Sequence, residues 1–122
     1  MNEPDLVVIK GIRGHGRHGW FAFETENGQE FAVDLELSLD TSAAAASDDL
    51  ADTVDYGAIA DAVFALIEGV PVKLIETLAQ RIAERCLFDP GVRKVKVTVH
   101  KPQAPVTVPF DDIAVTITRG RV

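Results

Sequence analysis

The sequence predicts an α+β fold of order ββααββ, with a four-stranded antiparallel sheet and two helices on one face of that sheet. Two observations support this prediction. Apolar and polar residues alternate strictly near both ends of the chain, as in half-buried strands, whereas apolar residues in the middle recur at helical spacing. Strands at the ends and helices between them favour a sheet whose helices cover a single face.

The first two strands are predicted to form a long hairpin. The segment Leu6–Lys10 is rich in β-branched residues, and we expect it to continue, with glycine kinks, toward Gly16. Glu30–Asp40 alternates throughout, and Asn27-Gly28 supplies a turn before it. Its apolar side, which we expect to be buried, carries Phe31, Val33, Leu35, Leu37 and Leu39. The connection between the two strands is expected to be a glycine-rich bend without a helix.

Two helices are predicted in the middle of the chain. After an alanine-rich connection, Asp55 is suited to cap a helix that runs to about Glu68. Gly69 ends this helix, and Pro71 is suited to the first turn of the next one. The apolar stripes consist of Ile59, Val63, Leu66 and Ile67 in the first helix, and of Leu74, Leu78, Ile82 and Cys86 in the second. Stripes this regular indicate packing against the sheet rather than a cofactor site.

The third strand, around Val95–Val99, ends in an unusual way. Its valines alternate with polar residues, so the next residue on the valine side is Lys101, after which Pro102 ends the strand. A lysine that points toward the apolar side is partly withdrawn from water, which suits its amine to proton transfer. The alternative is that Lys101 extends past the last valine into water. A fourth strand, Ile113–Thr118, completes the sheet.

The composition is that of one globular domain, which we assign to residues 1–122. Hydrophobic residues make up 47% of the 122 residues and charged residues 25%, which favours a folded domain over a disordered chain. A net charge of −7 argues against nucleic acid and against an anionic membrane surface as partners. Cys86 is the only cysteine in the sequence, so the reducing cytoplasm is the expected location.

The predicted sheet leaves two edge strands unpaired. Exposed edges invite aggregation unless they are covered or closed. A symmetric ring in which the sheets of several copies join edge to edge would pair them. We therefore expect a ring-shaped oligomer.

Two motifs in the first connection could suggest a bound cofactor or metal. The segment from Gly14 to Gly19 matches the G-x-G-x-x-G pattern of dinucleotide-binding loops, but we expect a turn and a strand after it instead of the helix that such a loop needs. His15 and His18 could form half of a metal site, but no second pair of ligands supports it. We favour a bend that exposes His18 near a pocket.

Three further side chains are candidates for chemistry, and each has a simpler alternative. Glu24 is either a solvated carboxylate of the connection or a site residue. Tyr56 opens the first predicted helix, where it either packs on the sheet or contacts a ligand. Glu76 lies near the start of the second helix, where the helix dipole favours its ionised form. Its two oxygens are also suited to a planar ligand edge with two N–H donors.

Five segments, in this order along the chain, resemble one family. They are His18–Glu24 with the pattern H-G-x-x-x-x-E, Gly28-Gln29, Ser47–Tyr56, Leu74–Ala79 and His100–Pro105. Each segment is weak alone, but the set, with compatible spacing over nearly the whole chain, resembles dihydroneopterin aldolase. The resemblance implies the tunnelling fold, in which the sheets of several copies join into a ring.

The resemblance also implies an activity in folate biosynthesis. The family is an aldehyde-lyase that cleaves 7,8-dihydroneopterin into 6-hydroxymethyl-7,8-dihydropterin and glycolaldehyde, often with epimerisation at the side-chain 2′ carbon. It implies no Schiff base, no metal and no cofactor, because the conjugated C=N of the reduced pterin accepts the electrons released on C–C cleavage. The implied partners are the pterin substrate and further copies of the chain, as a homotetramer that stacks into a homo-octamer with active sites between subunits.

Three residues match the catalytic positions of the family. Lys101 matches its general acid/base lysine, and Glu24 matches the glutamate that assists at the diol side chain. Tyr56 matches the tyrosine that contacts the substrate and helps protonation.

Besides Tyr56, five residues are assigned to substrate binding, four of them through the same resemblance. Glu76 matches the carboxylate that binds the amino-pyrimidinone edge of the pterin, and Ile75 offers a neighbouring backbone contact. Thr53 and Val54 match backbone contacts made across a subunit boundary. His18, from the same motif as Glu24, is expected to lie at the pocket.

Two alternatives remain open. A dihydroneopterin-triphosphate epimerase of the same fold would need cations for the triphosphate, and Arg13, Arg17 and His18 are the nearby candidates. A non-catalytic, ring-forming module that binds pterin would be expected to lack Lys101 or Glu24, and this sequence keeps both.

Overall fold

A computed structural model describes residues 4–121, in which a four-stranded antiparallel sheet carries the long helices. The elements are β1 Asp5–Gly16, α1 Ala22–Asn27, β2 Gln29–Leu39, α2 Ser42–Ser47, a 3-10 turn Leu50–Asp52, α3 Tyr56–Glu68, α4 Ile75–Leu87, β3 Lys94–His100 and β4 Ala114–Gly120. The predicted α+β fold is confirmed, and α3 and α4 are the two predicted helices. Within residues 4–121, every helix is too short or too polar to cross a membrane.

The sheet is a simple meander. Its strands lie in the order β1-β2-β3-β4, each antiparallel to its neighbour, so β1 and β4 are the edges. The register between β1 and β2 shifts between Ile9 and Ile12. Gly11 lies in this shift with a φ of +73°, which glycine adopts without strain, and its N–H donates to Asp34 Oδ1 at 2.8 Å.

Alternation along β2 and β3 directs one set of side chains into the core, as predicted. Phe31, Val33, Leu35, Leu37 and Leu39 of β2 and Val95, Val97 and Val99 of β3 are all buried. Helix α3 packs against β1, and α4 packs against β3 and β4. A charged side chain that enters this dry side at a strand end therefore needs a charged or hydrogen-bonding partner.

The connection between β1 and β2 contains a helix, so our prediction of a bend without one is wrong. Helix α1 is six residues long, which is too short for an apolar stripe to reveal it. The N–H of Phe21 donates to Glu24 Oε1 at 3.3 Å, which satisfies a donor at the start of the helix. Gly28 ends α1 with a φ of +68°, and its N–H donates to the Glu24 carbonyl at 2.8 Å.

The alanine-rich connection after β2 is also partly helical. Helix α2 covers its alanines and ends at Asp48, whose backbone has a left-handed φ of +57°. A 3-10 turn follows, in which Asp49 Oδ1 accepts a hydrogen bond from the N–H of Ala51 at 3.0 Å. This compact connection brings Thr53 and Val54 beside Leu39 and the turn at 89–91.

Two opposite ends of the molecule matter for the site. Residues 88–93 join the end of α4 to the start of β3. Helix α4 has 13 residues and a length of roughly 20 Å, and β3 has seven residues and a length of roughly 23 Å. Because α4 packs along β3, its first turn lies near the end of the strand. We call the end with His100, Lys101 and Ile75 the Lys101 end, and the opposite end, with Leu39 and Val54, the Val54 end.

Candidate active site

Lys101 and Glu24 form a buried ion pair at the Lys101 end. Lys101 Nζ lies 2.7 Å from Glu24 Oε2, and the two side chains are only 12% and 2% exposed. Strand parity, as predicted, places Lys101 on the buried side of the sheet, so the alternative of a side chain extended into water is wrong. Glu24 is likewise not the solvated loop carboxylate of the simpler alternative, because it lies inside α1 against the core.

The backbone around Lys101 is closed by hydrogen bonds. The Lys101 N–H donates to the carbonyl of Ile113 at 2.7 Å, at the point where the chain returns toward β4. The Lys101 carbonyl accepts from the N–H of Ala104 at 3.2 Å. Gln103, next in this loop, accepts from the N–H of Glu30 through its Oε1 at 3.2 Å. The ammonium group is therefore presented from a backbone that is fixed on both sides.

Three donors hold the carboxylate of Glu24. Besides Lys101, Gln29 Nε2 donates to Glu24 Oε2 at 2.9 Å, and the Phe21 N–H donates to Oε1. Burial by itself raises the pKa of Glu24, but the hydrogen bonds from Lys101, Gln29 and Phe21 outweigh it and hold the pKa below the usual value. Glu24 is therefore an ionised carboxylate that faces an ammonium group in a space with little water.

A buried ion pair of this kind is poor evidence for stability. The cost of removing two charges from water cancels much of their mutual attraction, and apolar side chains of similar size often stabilise a fold as well. Titratable groups arranged in this way are instead typical of sites that move protons. An open cleft of about 260 Å³ borders Glu24, and its other lining residues are Phe23, Asn27, Gly28, Gln29, Gln103 and Pro105.

Gln29 is a further candidate site residue, for which no role was predicted from the sequence. Its side chain is 9% exposed, and its Nε2 donates to Glu24. The orientation of the amide follows from chemistry, because an ionised carboxylate can only accept. Within residues 4–121 its Oε1 is the one buried side-chain oxygen or nitrogen without a hydrogen-bond partner. Gly28-Gln29 was among the segments of the family resemblance, so this segment could have indicated a role for Gln29 from the sequence alone.

His18 lies inside the protein, so its predicted exposure is wrong, although the residue borders a small cleft of about 160 Å³ that Gly69, Val72 and Arg81 also line. Its Nδ1 accepts from the N–H of Val72 at 3.0 Å, and its Nε2 lies 2.7 Å from the carbonyl of Ile67, to which it donates. The ring is 0% exposed and meets the edge of Phe31 with centroids 5.4 Å apart. Burial lowers the pKa of His18 and outweighs the bond to Ile67, so the ring is neutral. His18 joins the end of α3 to the segment before α4.

These bonds also bear on the proposed half-site for a metal. Both ring nitrogens of His18 are used by backbone groups, so neither can bind a metal ion while the fold is intact. Across the part of the chain that the structure describes, no three His, Cys, Asp or Glu side chains are grouped so that they could hold a metal ion.

The glycine motif serves packing. Our expectation that a turn and a strand follow it is wrong, since α1 follows. The motif still does not suit a dinucleotide, because the first turn of α1 holds the ionised Glu24, which would repel a phosphate group. A methyl group on Gly16 would lie 2.7 Å from the carbonyl oxygen of Ile67 and 2.8 Å from the ring of Phe31. Glycine is therefore needed where β1 approaches α3 and β2.

Glu76 and Ile75 lie in the first turn of α4, at the Lys101 end. The Ile75 side chain is buried, whereas Glu76 is exposed to solvent. The N–H of Gly19 donates to the carbonyl of Val72 at 3.0 Å, which ties the loop before α1 to the segment that leads into α4. The Glu76 carboxylate is thus exposed to solvent at the same end of the molecule as the ion pair.

Thr53, Val54 and Tyr56 lie at the Val54 end. Thr53 and Val54 line a cleft of about 230 Å³ together with Leu39, Asp40 and the turn Asp89–Gly91. Tyr56 begins α3 and is 61% exposed, so it does not pack on the sheet. The length of β3, roughly 23 Å, separates this end from Lys101. Within a single chain the predicted site residues therefore form two separate groups.

Comparisons with known proteins all point to the same family, dihydroneopterin aldolase. A family model for dihydroneopterin aldolase (FolB) matches residues 7–118. A dihydroneopterin aldolase of Streptomyces coelicolor is 58% identical over 118 residues, which cover 97% of this chain and 99% of that protein. A dihydroneopterin aldolase of Bacillus subtilis is 42% identical over 119 residues, with coverage of 96% and 98%.

The fold is similar to that of a solved structure as well. The crystal structure of E. coli dihydroneopterin aldolase in complex with neopterin superposes with a TM-score of 0.86 at 31% sequence identity. The match covers 95% of this chain and 99% of that one.

Proposed function

This chain belongs to the dihydroneopterin aldolase family, lyases of folate biosynthesis, and we propose that Lys101 and Glu24 carry the proton transfers of the cleavage reaction. The observation that supports this assignment is the 2.7 Å contact between the two groups on the dry side of the sheet. The family model spans most of the chain, which supports the proposal that residues 1–122 form a single domain of this kind.

The proposed reaction begins at the diol side chain of 7,8-dihydroneopterin. A base removes the proton of the 2′ hydroxyl, the bond between C1′ and C2′ breaks, and glycolaldehyde leaves. The electron pair of that bond moves into the conjugated C=N of the reduced pterin. A proton is then delivered to C1′, which yields 6-hydroxymethyl-7,8-dihydropterin. The pterin serves as the electron acceptor, so the protein has to supply the two proton transfers and the orientation of the side chain.

The ion pair suits these two transfers. The Glu24 carboxylate, whose pKa is held low by its three donors, is an acceptor for the diol or for a water beside it. The Lys101 ammonium beside it is a proton donor, and the short contact lets a proton pass between the two sites within one hydrogen-bonded group. Gln29 keeps the carboxylate in place while the proton moves.

Glu76 is proposed to bind the pterin ring. The amino-pyrimidinone edge carries two adjacent N–H donors, which match two oxygens of one carboxylate. The exposed position of Glu76 in the first turn of α4 and its location at the Lys101 end support this role. The backbone of Ile75 would contribute beside it.

The complete site is proposed to form between two copies of the chain. Thr53, Val54 and Tyr56 lie too far from Lys101 to meet it in one chain, and Tyr56 is exposed. Edge strands β1 and β4 are unpaired within residues 4–121 of one copy and would pair in a ring. We propose a homotetrameric ring that stacks into a homo-octamer, in the cytoplasm.

The alternative with a triphosphate substrate gains no support from Arg17. Its guanidinium donates to the carbonyl of Thr25 at 3.0 Å and to that of Glu26, so it caps α1. The decisive experiment is incubation of the purified, metal-free protein with 7,8-dihydroneopterin. We expect stoichiometric glycolaldehyde and 6-hydroxymethyl-7,8-dihydropterin, and the absence of glycolaldehyde would reject the proposed function.

A further inference from the structure

His100 is held between two carboxylates on the face of β3 opposite to the Lys101 side chain. Its Nδ1 lies 2.7 Å from Asp112 Oδ2, and its Nε2 lies 2.7 Å from Asp34 Oδ2. Asp34 is in turn fixed by the N–H of Gly11, which donates to its other oxygen at 2.8 Å. The cluster of Asp34, His100 and Asp112, which we call the His100 clamp, thus connects β1, β2, β3 and the loop before β4.

The protonation state of the clamp follows from its geometry. Only an imidazolium ring donates from both nitrogens, whereas a neutral ring would place a lone pair against one of the carboxylates. The hydrogen bonds to Asp112 and Asp34 raise the pKa of His100, outweighing burial, which lowers it. Because the two carboxylates lie on opposite edges of the ring, they cannot converge on one metal ion.

The clamp is adjacent to the backbone that presents Lys101. The loop of residues 101–113 begins with Lys101 and ends with Ile113, and the Lys101 N–H donates to the Ile113 carbonyl at 2.7 Å. The bond from His100 to Asp112 lies one residue away at both ends of this contact. The two bonds together close the base of the loop, one through the backbone and one through side chains.

We propose that protonated His100 is a positioning residue, which holds the base of the loop closed so that the ammonium group of Lys101 stays within reach of Glu24. This inference rests on the proposed function of Lys101. Each carboxylate of the clamp accepts a hydrogen bond from one N–H of the imidazolium, and these two bonds fix the loop end to β2 and β3. When His100 loses its proton, one of these bonds becomes a repulsive contact, and the loop end is released from the sheet.

The charges around His100 come from three elements. Asp34 of β2 and Asp112 of the loop contact it directly, and Lys10 of β1 acts on Asp34 from farther away. The residues opposite His100 on the neighbouring strands, Ala32 and Ala114, carry no charge. The two carboxylates therefore dominate, and the removal of either one should lower the pKa of His100.

The test uses Asp112→Asn, which keeps the size of the side chain and removes its charge, with Asp111→Asn as the matched control one residue away. The protonation of His100 is followed by nitrogen NMR, and kcat and KM for 7,8-dihydroneopterin are measured from about pH 6 to about pH 9. For Asp112→Asn we expect kcat at about pH 8 to fall about tenfold, with KM changed less than about twofold. The loss of kcat with rising pH should begin at lower pH than in the unaltered protein, by the same shift as the His100 titration. Asp111→Asn should keep both profiles.

A different result would overturn the inference. If the pKa of His100 shifts in Asp112→Asn while the pH dependence of kcat is unchanged, the clamp stabilises the fold but does not position Lys101. If Asp112→Asn does not fold, Asp34→Asn removes the other partner and is judged by the same comparison.

A measurement without substrate separates this inference from the proposed function. The nitrogen resonance of Lys101 Nζ is recorded in the unaltered protein across the titration of His100. We expect its chemical shift to change as His100 titrates. A chemical shift that stays constant through that titration would contradict the inference even if the enzyme is active. Conversely, the absence of glycolaldehyde in the activity assay would reject the proposed function, while this NMR measurement would still test the role of His100.

Discussion

Gly19 lies so close to Glu24 that a methyl group on Gly19 would be 2.4 Å from the carboxyl carbon of Glu24. No side chain can share that space without moving the carboxylate. The glycine of the H-G pattern therefore has a definite role, which is to leave room for the buried partner of Lys101.

Replacing Gly19 with alanine should separate the ion pair. Because Glu24 must shift away from the new methyl group, we expect kcat to fall by roughly 10²-fold and the free energy of unfolding to fall by about 1–3 kcal/mol. Steady-state kinetics and urea unfolding would measure the two effects. Gly120→Ala is a suitable control, since its nearest neighbour would be 3.6 Å away. Unchanged turnover in Gly19→Ala would mean that the position of Glu24 is unimportant.

Lys101→Ala should abolish proton transfer and leave the pterin bound. We expect kcat to fall by roughly 10²-fold or more, with little change in the affinity for 6-hydroxymethyl-7,8-dihydropterin. Lys96→Ala removes an exposed lysine of β3, the strand that leads to Lys101. The Lys96 Nζ lies 3.6 Å from Glu36 Oε2 on β2, and this variant should keep normal turnover. Near-normal turnover of Lys101→Ala would remove the lysine from the mechanism.

Glu76→Gln should weaken pterin binding more than it slows the chemical step. The loss of a charged acceptor for two N–H donors costs about 1.5–3 kcal/mol, or roughly a 10- to 150-fold rise in Kd for 6-hydroxymethyl-7,8-dihydropterin. Calorimetric titration would measure it. Glu84→Gln changes the same charge on the same helix and should leave Kd unchanged. Equal affinities of Glu76→Gln and the unaltered protein would refute the assignment of the pterin-binding carboxylate.

The proposed division of the site between two copies can be tested by complementation. Lys101→Ala and Tyr56→Ala should each be nearly inactive alone, because each lacks one half of every site. When the two variants are co-expressed and assemble at random, about a quarter of the sites combine two intact halves. We therefore expect turnover to reappear in the mixed oligomer. Should the mixture stay as inactive as its components, the two groups of residues would not act in one site.

The buried, neutral His18 should make the protein less stable in acid. Its pKa is lowered by burial, so the unfolded chain binds a proton more readily than the folded one below the ordinary value of 6.5. The contribution of His18 to the free energy of unfolding is therefore complete above pH 6.5 and is lost as the pH falls below it. We expect the difference in stability between the unaltered protein and His18→Gln, measured by urea unfolding, to shrink on acidification. A constant difference would show that the ring takes up its proton in the folded state as readily as in the unfolded one.

The order of the main elements and the face of each strand could be predicted from the sequence because both depend on local periodicity. The side-chain period of a strand is two, so the valines of β3 were enough to place Lys101 on the buried side. The stripes of α3 and α4 were visible for the same reason. Short elements carry no such signal, which is why α1 and α2 were missed.

The sequence by itself determined which fold forms and which side of the sheet Lys101 occupies. Only the tertiary structure decided what Lys101 meets there, since Glu24 reaches it from a helix far away in the chain and is itself held by Gln29 of β2. It also decided that His18 is internal and that Thr53, Val54 and Tyr56 lie at the opposite end from Lys101. The physical reason is that periodicity records how each residue is turned toward or away from the core, whereas the meeting of distant side chains depends on how whole elements pack.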